Sequence, residues 1–281
     1  MSLLVFGRSG QVARALARLA PEAVFLSRAD ADLSDPAACA AAIRAHSPRA
    51  VINAAAWTAV DAAETQEEAA TLVNGAAPGA MAQECAALGI PFLTISTDYV
   101  FDGSGEAPWR PEDPTGPLNA YGRSKLAGER AVTAAGGTTA ILRTSWVFSA
   151  EGTNFLRTML SLSKTRDALN IVGDQIGGPT PAASIARAAL KITQALQDGH
   201  PGGTWHIAGR PFVSWADFAA WIFACAGREV QITPIPTADY PTPAARPLNS
   251  RLNCTTLARD FALRAPDWKA EARADVKRLI A

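Results

Sequence analysis

The feature that most constrains this chain is an alternation of short apolar runs with longer alanine-rich amphipathic segments. The apolar runs are LLVF, VFL, AVIN, PFLTIS and TAILRTS, and the segments between them cover 11–20, 36–46, 61–87 and 119–135. Such alternation predicts parallel β–α–β units. The runs are continuously apolar, as expected where helices cover both faces of a parallel sheet. We therefore expect an α/β fold built on a doubly wound parallel sheet.

The regular alternation of apolar runs and amphipathic segments changes after Val147. Helices are predicted near 153–165, 181–197 and 214–226, strands at LNIV and TWHIA, and loops at GDQIGGPTP and in the proline-rich stretch 234–247. Loops of this length can close on a ligand. We expect a Rossmann-type dinucleotide-binding domain over 1–148 plus about 180–210. A smaller, mainly C-terminal substrate-binding lobe would cover about 149–179 and 211–281.

Charge and cysteine content exclude several classes of protein. Lys plus Arg (26) equals Asp plus Glu (26), so no overall field would attract nucleic acid or an anionic membrane. The four cysteines form no CxxC pair, and the three histidines are dispersed, so no metal site is predicted. The opening MSLLVFG lacks a basic leader, and no later stretch is long enough to span a membrane. We expect a cytoplasmic protein.

A glycine pair follows the first apolar run. Gly7 and Gly10 are followed by Gln11, Val12 and Ala13, where the first strand would pass into the first helix. Glycines at that point let backbone approach a pyrophosphate, and the helix N-terminus supplies N–H groups. The spacing is GxxG rather than GxG, and Ala13 stands where a third glycine is usual. A tight turn is the alternative, but the position favours a cofactor loop.

Residues after the second and third runs bear on the same cofactor. Arg28 follows the second run and favours a 2′-phosphate, hence NADPH, although NADH or a plain surface role stays open. Asp32, followed by Leu33, is placed to cap the adenine or simply to form a turn. Ala56 belongs to a small-residue stretch, 53–56, which leaves room for a flat cofactor or for helix packing.

The most specific pattern is Tyr121-Gly-Arg-Ser-Lys125. Its i,i+4 spacing places a phenol and an ammonium on one helix face. A phenol is a weak acid near neutral pH, and we expect Lys125 and a bound nicotinamide cation to bring the Tyr121 pKa towards the working range. Tyr121 would then protonate a carbonyl oxygen as hydride arrives. Thr97, at the end of the fourth run, is placed to hold the same oxygen, or to act as an ordinary strand-end residue.

Longer strings carry a family resemblance: NAAAWTAVDAAE, STDYVFDG, PLNAYGRSKLAGE, RTSWVF, DQIGGPT and YPTPAARPLNSRLN. They resemble the extended short-chain dehydrogenases, and within them the dTDP-4-dehydrorhamnose reductase family, from Leu3 to about Lys277. The resemblance implies reduction of the C4 keto group of dTDP-4-dehydro-6-deoxy-L-mannose to dTDP-L-rhamnose by NAD(P)H, the last step of dTDP-rhamnose synthesis.

The resemblance also implies roles for individual residues. The catalytic group would be Thr97, Tyr121 and Lys125. Cofactor contacts would be Gly7, Gly10, Gln11, Val12, Arg28, Asp32, Leu33, Ala56, Trp57, Thr58, Tyr121 and Lys125. Substrate contacts would be Thr97, Asp98, Trp146, Asn154 and Arg246, with the Arg246 fork suited to a diphosphate. Trp146 as core packing and Arg246 as a loop brace are the alternatives.

The sequence says less about the oligomeric state of the protein. Some family members dimerise around Mg²⁺ held by acidic residues near the C-terminus, whereas this chain ends Arg278-Leu279-Ile280-Ala281. We therefore expect a monomer or a homodimer, with metal-linked dimerisation disfavoured, and the sequence does not decide whether Mg²⁺ bridges a dimer.

Two other functions share these motifs. A nucleotide-sugar 4-epimerase or dehydratase keeps its NAD⁺ through the cycle, but a dehydratase usually needs a second acid where Tyr99 follows Asp98. A non-catalytic NADP-binding regulatory subunit would not need Thr97, Tyr121 and Lys125. A nucleotide-sugar reductase accounts for more of these residues than either alternative.

Overall fold

Thirteen strands and eleven α-helices make up the computed structural model, which describes residues 2–280. Met1 and Ala281, the ends of the opening and closing segments discussed above, lie outside the described residues. The strands are β1 (Leu3–Phe6), β2 (Val24–Leu26), β3 (Ala50–Asn53), β4 (Phe92–Thr97), β5 (Thr139–Thr144), β6 (Val147–Phe148), β7 (Ala168–Val172), β8 (Ile176–Gly177), β9 (Thr180–Pro181), β10 (Gly203–Ile207), β11 (Val213–Ser214), β12 (Gln231–Ile235) and β13 (Asn249–Ser250).

The helices follow the strands in the expected alternation. They are α1 (Gln11–Leu19), α2 (Pro36–His46), α3 (Val60–Ala63), α4 (Glu67–Thr71), α5 (Ala77–Leu88), α6 (Ala120–Ala134), α7 (Phe155–Leu162), α8 (Ala182–Gln197), α9 (Trp215–Ala226), α10 (Thr255–Phe261) and α11 (Trp268–Ile280).

A six-stranded sheet in the order β10-β5-β4-β3-β1-β2, parallel throughout, confirms the predicted α/β class. Strands β1, β3, β4 and β5 are buried on both faces because helices cover each side, whereas the edge strand β2 is partly exposed. On one face β1, β5 and α8 share a core that includes Val5, Leu142 and Ile185. On the other face α2 and α5 contribute Ile43 and Met81 to a second core. The strand order reverses beside β1, so the carboxyl ends of β1 and β3 border a crevice suited to a ligand.

The amphipathic segment 61–87 is not one continuous α-helix. The segment forms α3, α4, a π-helical turn at Leu72–Ala76 and α5. Glu64, at the first break, accepts a bond from the backbone N–H of Ala120, which gives the interruption a tertiary partner. Pro78 lies just after the π-helical turn, where the helical hydrogen-bond pattern is already irregular. Tertiary contacts here override a helical pattern in the sequence.

A third apolar core lies in the part of the chain that follows β5. Parallel β7 and β12 pack with α7, α9 and α11 around Phe148, Phe218 and Trp268. Helix α10 packs instead against the main sheet, where Leu257 and Phe261 join the core that contains β10. The proposed domain boundaries stay a prediction. Within residues 2–280, none of the helices combines the length and hydropathy needed to cross a membrane.

Candidate active site

The carboxyl end of β4 carries the first two candidate groups. Thr97 is the last residue of the strand, and its Oγ1 donates to Oδ1 of Asp98 at 3.1 Å. The backbone N–H of Tyr99 donates back to the Thr97 hydroxyl at 3.2 Å. Both Thr97 and Asp98 are buried, and Asp98 Oδ2 has no hydrogen-bond partner within residues 2–280. An unsatisfied buried acceptor is costly and is suited to receive a ligand hydrogen bond.

Burial also affects the Asp98 carboxyl. It raises the pKa of Asp98 to about 6, against the opposing effects of the Ser250 hydroxyl and, next, the Thr97 hydroxyl. The group therefore changes charge just below neutral pH, unlike an exposed carboxyl.

Helix α6 brings the next two groups to the same edge. It begins after Asn119, whose side chain caps the helix by accepting from the Gly122 N–H at 2.8 Å. Gly122 is needed because a Cβ there would meet the carbonyl oxygen of Tyr99 at 2.2 Å. This close approach brings α6 against the end of β4, so Tyr121 packs edge-to-face on Tyr99, with ring centroids 5.6 Å apart.

Lys125 lies one turn further along α6 and is almost fully buried, at 5% exposure. Its ammonium Nζ donates to the carbonyl oxygen of Ile95, on β4, at 2.7 Å. Burial lowers the pKa of Lys125 to about 8, and the nearby Glu129 carboxylate opposes that change. Thr97, Tyr121 and Lys125 thus lie together at the carboxyl end of β4, and their catalytic roles stay a prediction.

The expected lowering of the Tyr121 pKa is not what the chain itself produces. Burial raises the pKa of Tyr121 to about 12, only partly offset by contact with the Thr97 hydroxyl, and the Asp98 charge adds to the rise. Lys125 directs its nearest hydrogen bond at Ile95 instead. Tyr121 in the chain alone consequently keeps its proton at neutral pH. The expectation concerned Tyr121 beside a bound nicotinamide cation, and for that complex it stays a prediction.

The glycine pair forms the loop between β1 and α1. Gly7 has φ +107°, and a Cβ there would lie 3.2 Å from the backbone of Ala54 at the end of β3. Gly10 precedes α1, and a Cβ there would meet nothing within 4 Å, so this backbone faces open space. No side chain in the described part of the chain caps α1 at Gly10. An open glycine before an uncapped helix N-terminus fits a phosphate group.

Two neighbours extend this crevice. Trp57, in the loop after β3, is held by buried Asn74, whose Oδ1 accepts from the Trp57 N–H at 2.8 Å and whose Nδ2 donates to the Trp57 carbonyl at 3.0 Å. Ala56 and Thr58 flank it, and their placement follows that of Trp57. Asn74 sits in the π-helical turn, so that irregularity fixes the loop.

The segment after β2 is more exposed. Arg28 pairs with Asp32 through Nε and Oδ2 at 3.1 Å, and 79% of the Arg28 side chain is exposed. Backbone and side-chain hydrogen bonds from Ser34 lower the pKa of Asp32, with Arg28 adding to the effect. Leu33 is buried in the core beneath α2. Arg28 and Asp32 therefore reach solvent near the loop, whereas Leu33 mainly packs the fold.

Trp146, between β5 and β6, forms an aromatic wall with Trp215 and Phe155 of the predicted second lobe. The Trp146 indole stacks on that of Trp215, with centroids 3.5 Å apart, and Phe155 packs on Trp215 at 4.6 Å. Trp146 has φ +48°, unusual for a large residue. Gly177 lies under its ring, where a Cβ would come within 2.6 Å of the indole. Trp146 is only partly buried, so it is not simple core packing.

The remaining two predicted substrate contacts are engaged within the protein. Asn154 is buried, and its amide donates to Gln11 Oε1 at 2.9 Å, linking the start of α7 to the start of α1. Arg246 donates through Nη2 to Asp61 Oδ2 at 2.8 Å and stays partly exposed. Neither residue contacts Thr97 or Tyr121 directly by hydrogen bond in this arrangement.

Comparison with known proteins is decisive on family. The family model described as "RmlD substrate binding domain" matches residues 1–280. A dTDP-4-dehydrorhamnose reductase from Sinorhizobium fredii is 43% identical over 283 residues, which cover 97% of this chain and 96% of that protein.

The chain belongs to the dTDP-4-dehydrorhamnose reductase family. A solved reductase of this name from Clostridium acetobutylicum superposes with a TM-score of 0.94 at 34% identity, covering 100% of both chains. A second, from Bacillus anthracis and in complex with NADP, gives a TM-score of 0.90 at 29% identity over 99% of both chains.

Sequence reasoning missed several residues that shape this reductase-family site. Asn74, Trp215 and Asp61 hold Trp57, Trp146 and Arg246 respectively, and all three lie far from their partners in sequence. Only one omission carried a local signal: Glu129 continues the spacing of Tyr121 and Lys125 along α6. Within residues 2–280 no three His, Cys, Asp or Glu side chains gather where they could hold a metal ion.

Proposed function

We propose that this chain reduces the C4 keto group of dTDP-4-dehydro-6-deoxy-L-mannose to give dTDP-L-rhamnose, the last step of dTDP-rhamnose synthesis, with NADPH as reductant. The observation that carries the proposal is the convergence of Thr97, Tyr121 and Lys125 at the carboxyl end of β4 in a chain related over its whole length to reductases of that name. NADH is the alternative reductant.

Support for the cofactor comes from the loop after β1. The NADP-bound relative from Bacillus anthracis shares the fold over its full length, and the open Gly10 and the α1 N-terminus suit its pyrophosphate. Gln11 and Val12 would line that phosphate site, and Trp57, with Ala56 and Thr58, would flank the crevice. Bound NADPH supplies the hydride that is delivered to C4.

Proton delivery falls to Tyr121. Its raised pKa keeps the phenol protonated at neutral pH, which is the state a proton donor needs. The Thr97 hydroxyl would hold the same carbonyl oxygen, so that Tyr121 Oη hands its proton to an oriented acceptor. The buried Lys125 ammonium would then stabilise the resulting phenolate, because opposite charges attract strongly where water is scarce.

Substrate contacts come from both parts of the molecule. The Trp146 face offers a flat apolar surface for the sugar, and the unsatisfied Asp98 Oδ2 is placed to accept a sugar hydroxyl. Arg246 would exchange its bond with Asp61 for one with the diphosphate, and Asn154 would orient the loop between the two lobes. The cytoplasmic location and the monomeric or homodimeric state stay predictions, and any role for Mg²⁺ stays open.

The test is oxidation of NADPH at 340 nm with the 4-keto sugar generated enzymatically in the cuvette, with NADH run in parallel. We expect rapid oxidation and one product, dTDP-L-rhamnose, identified by mass spectrometry and NMR. Folded protein that binds NADPH but oxidises none would contradict the proposal. Tightly bound NAD⁺ and turnover without added reductant would point to an epimerase or dehydratase, and copurification of a stoichiometric enzyme partner to a regulatory subunit.

A further inference from the structure

Helix α6 carries a third polar group in line with Tyr121 and Lys125. Glu129 follows Lys125 by four residues, so the three side chains share one helix face. Glu129 is 5% exposed, and both of its oxygens are bound by Arg143: Nε to Oε1 at 2.9 Å and Nη2 to Oε2 at 2.7 Å. A buried, bidentate ion pair therefore lies one helical turn beyond the catalytic lysine.

Arg143 is fixed on several sides. It lies on β5 in register with Ser96, the residue before Thr97. Its Nη1 donates to the carbonyl oxygen of Pro111 at 3.0 Å and lies 3.3 Å from His206 Nε2. Its guanidinium also covers the Phe101 ring, 5.0 Å from the centroid. With these partners the guanidinium cannot turn away from Glu129 without losing buried hydrogen bonds.

His206 completes this group without adding charge. It is fully buried, and its Nδ1 lies 3.0 Å from the carbonyl oxygen of Trp109, which can only accept a hydrogen bond. Nδ1 therefore carries the proton and Nε2 accepts from Arg143, which is the neutral tautomer. Burial, with the charge of Arg143, lowers the pKa of His206 to about 3.

We propose that Glu129 and Arg143 are positioning residues for Lys125: the Glu129 carboxylate keeps the buried lysine charged at working pH, and Arg143 holds that carboxylate in place. The inference rests on the proposed function of Lys125. Charged or titratable groups on the surrounding elements include Tyr121, Arg123, Glu129 and Arg130 on α6, Asp98 and Tyr99 after β4, Arg143 on β5 and His206 on β10. Glu129 is the one that favours the ammonium within the same helix face.

The physical need for such a pair is clear from the burial of Lys125. A lysine taken out of water loses its proton more easily, and Nζ makes one hydrogen bond in the described structure, to Ile95. A neutral amine would neither stabilise a Tyr121 phenolate nor hold a ribose hydroxyl as strongly. An unpaired Glu129 would itself be costly to bury, which is why Arg143 must accompany it.

The test follows Lys125 directly. Lysines labelled with ¹³C at Cε are titrated by NMR, and the Lys125 signal, one of five, is assigned with Lys125→Arg. Glu129→Gln should lower the Lys125 titration midpoint by about one pH unit, and the alkaline limb of kcat/KM should move down with it. Glu129→Asp, which keeps the charge, should restore most of the wild-type midpoint. The double variant Glu129→Gln/Arg143→Gln removes both charges and should shift it down by less.

Glu67→Gln is the matched control. Glu67 forms an equally bidentate pair with Arg123 on α6, at 2.7 Å for both bonds, but on the exposed face. It should leave the Lys125 midpoint unchanged. The proposal is overturned if Glu129→Gln and the double variant lower only thermal stability while the midpoint stays within about 0.2 pH unit of wild type. Because the titration needs no substrate, it separates this failure from failure of the reductase proposal.

Discussion

The sheet edge and the second lobe hold their site residues by different means. At the edge, polar atoms are buried and fixed by short bonds, such as Lys125 to Ile95 at 2.7 Å and Thr97 to Asp98 at 3.1 Å. In the lobe, the Trp146–Trp215 stack supplies broad aromatic surface. Proton transfer needs atoms placed within a fraction of an ångström, whereas binding of a sugar to an aromatic surface tolerates small shifts. Substitutions at the sheet edge should therefore lower kcat, and substitutions in the aromatic surface of the lobe should raise KM.

The largest effect is expected from Tyr121→Phe. Removing the hydroxyl deletes the proposed proton donor but little surface, so kcat should fall about 100- to 10 000-fold while the Kd for NADPH changes little. Stopped-flow NADPH oxidation and a fluorescence titration measure the two quantities. Tyr99→Phe is the control, since its ring packs on Tyr121 at the same edge. Equal losses in both variants would show that packing, not proton donation, is what the tyrosine provides.

The buried His206 tests how rigidly the residues behind the carboxyl end of β4 are packed. His206 has a pKa of about 3 when folded against 6.5 otherwise, so between these values only the unfolded chain binds the proton. The free energy of unfolding therefore decreases as the pH falls below about 6.5. At pH 5, which is about 1.5 units lower, the loss should be about 2 kcal/mol, at about 1.36 kcal/mol per unit.

His206→Gln keeps an acceptor for Arg143 and should remove this part of the pH dependence. Urea unfolding at pH 7.5 and pH 5 gives the difference in unfolding free energy, which should shrink by about 2 kcal/mol relative to wild type. His46→Gln, on the exposed end of α2, is the control. An unchanged difference in His206→Gln would mean that the buried imidazole is protonated in the native state after all.

The lobe side of the comparison is tested by Trp146→Phe. A smaller ring loses part of the stack on Trp215 and part of the proposed sugar surface, so KM for the nucleotide sugar should rise about tenfold, equivalent to about 1.4 kcal/mol. We expect kcat to stay within about threefold. Trp221→Phe, on the same lobe but packed on Trp268, should change neither constant. A fall in kcat with unchanged KM would erase the distinction between the two regions.

The same contrast explains how much the sequence could predict. The strands and most helices were legible because apolar runs and amphipathic segments are local patterns. Tyr121 and Lys125 were found because their partnership is set by one helical turn. Helices α10 and α11 were not anticipated, and neither were the breaks within the amphipathic segment 61–87. There, the π-helical turn depends on contacts with α6 that no local window contains.

Partners across long sequence distances were the systematic omission. Arg246 and Asp61 are 185 residues apart, and Asn154 and Gln11 are 143 apart. Each pair joins the two regions, so each depends on how the folded parts meet, which residue type alone does not specify. Desolvation of the Tyr121 phenol was not readable for a related reason: it depends on contacts across the fold and not on an i,i+4 spacing.

Arg28 belongs to neither region, and its variant should give the smallest effect. Its guanidinium is mostly exposed and already paired with Asp32, so water and Asp32 both compete for it. A contact with a 2′-phosphate there should be worth about 1 kcal/mol, comparable to exposed ion pairs. Arg28→Ala should therefore raise the Kd for NADPH about fivefold and leave that for NADH nearly unchanged. Isothermal titration with each coenzyme measures both constants.

Arg18→Ala is the matched control for that titration. Arg18 is also exposed, but it pairs with Glu151 on the outer side of α1. It should affect neither coenzyme. Equal weakening of NADPH and NADH by Arg28→Ala would assign the arginine to bracing Asp32 and the turn after β2.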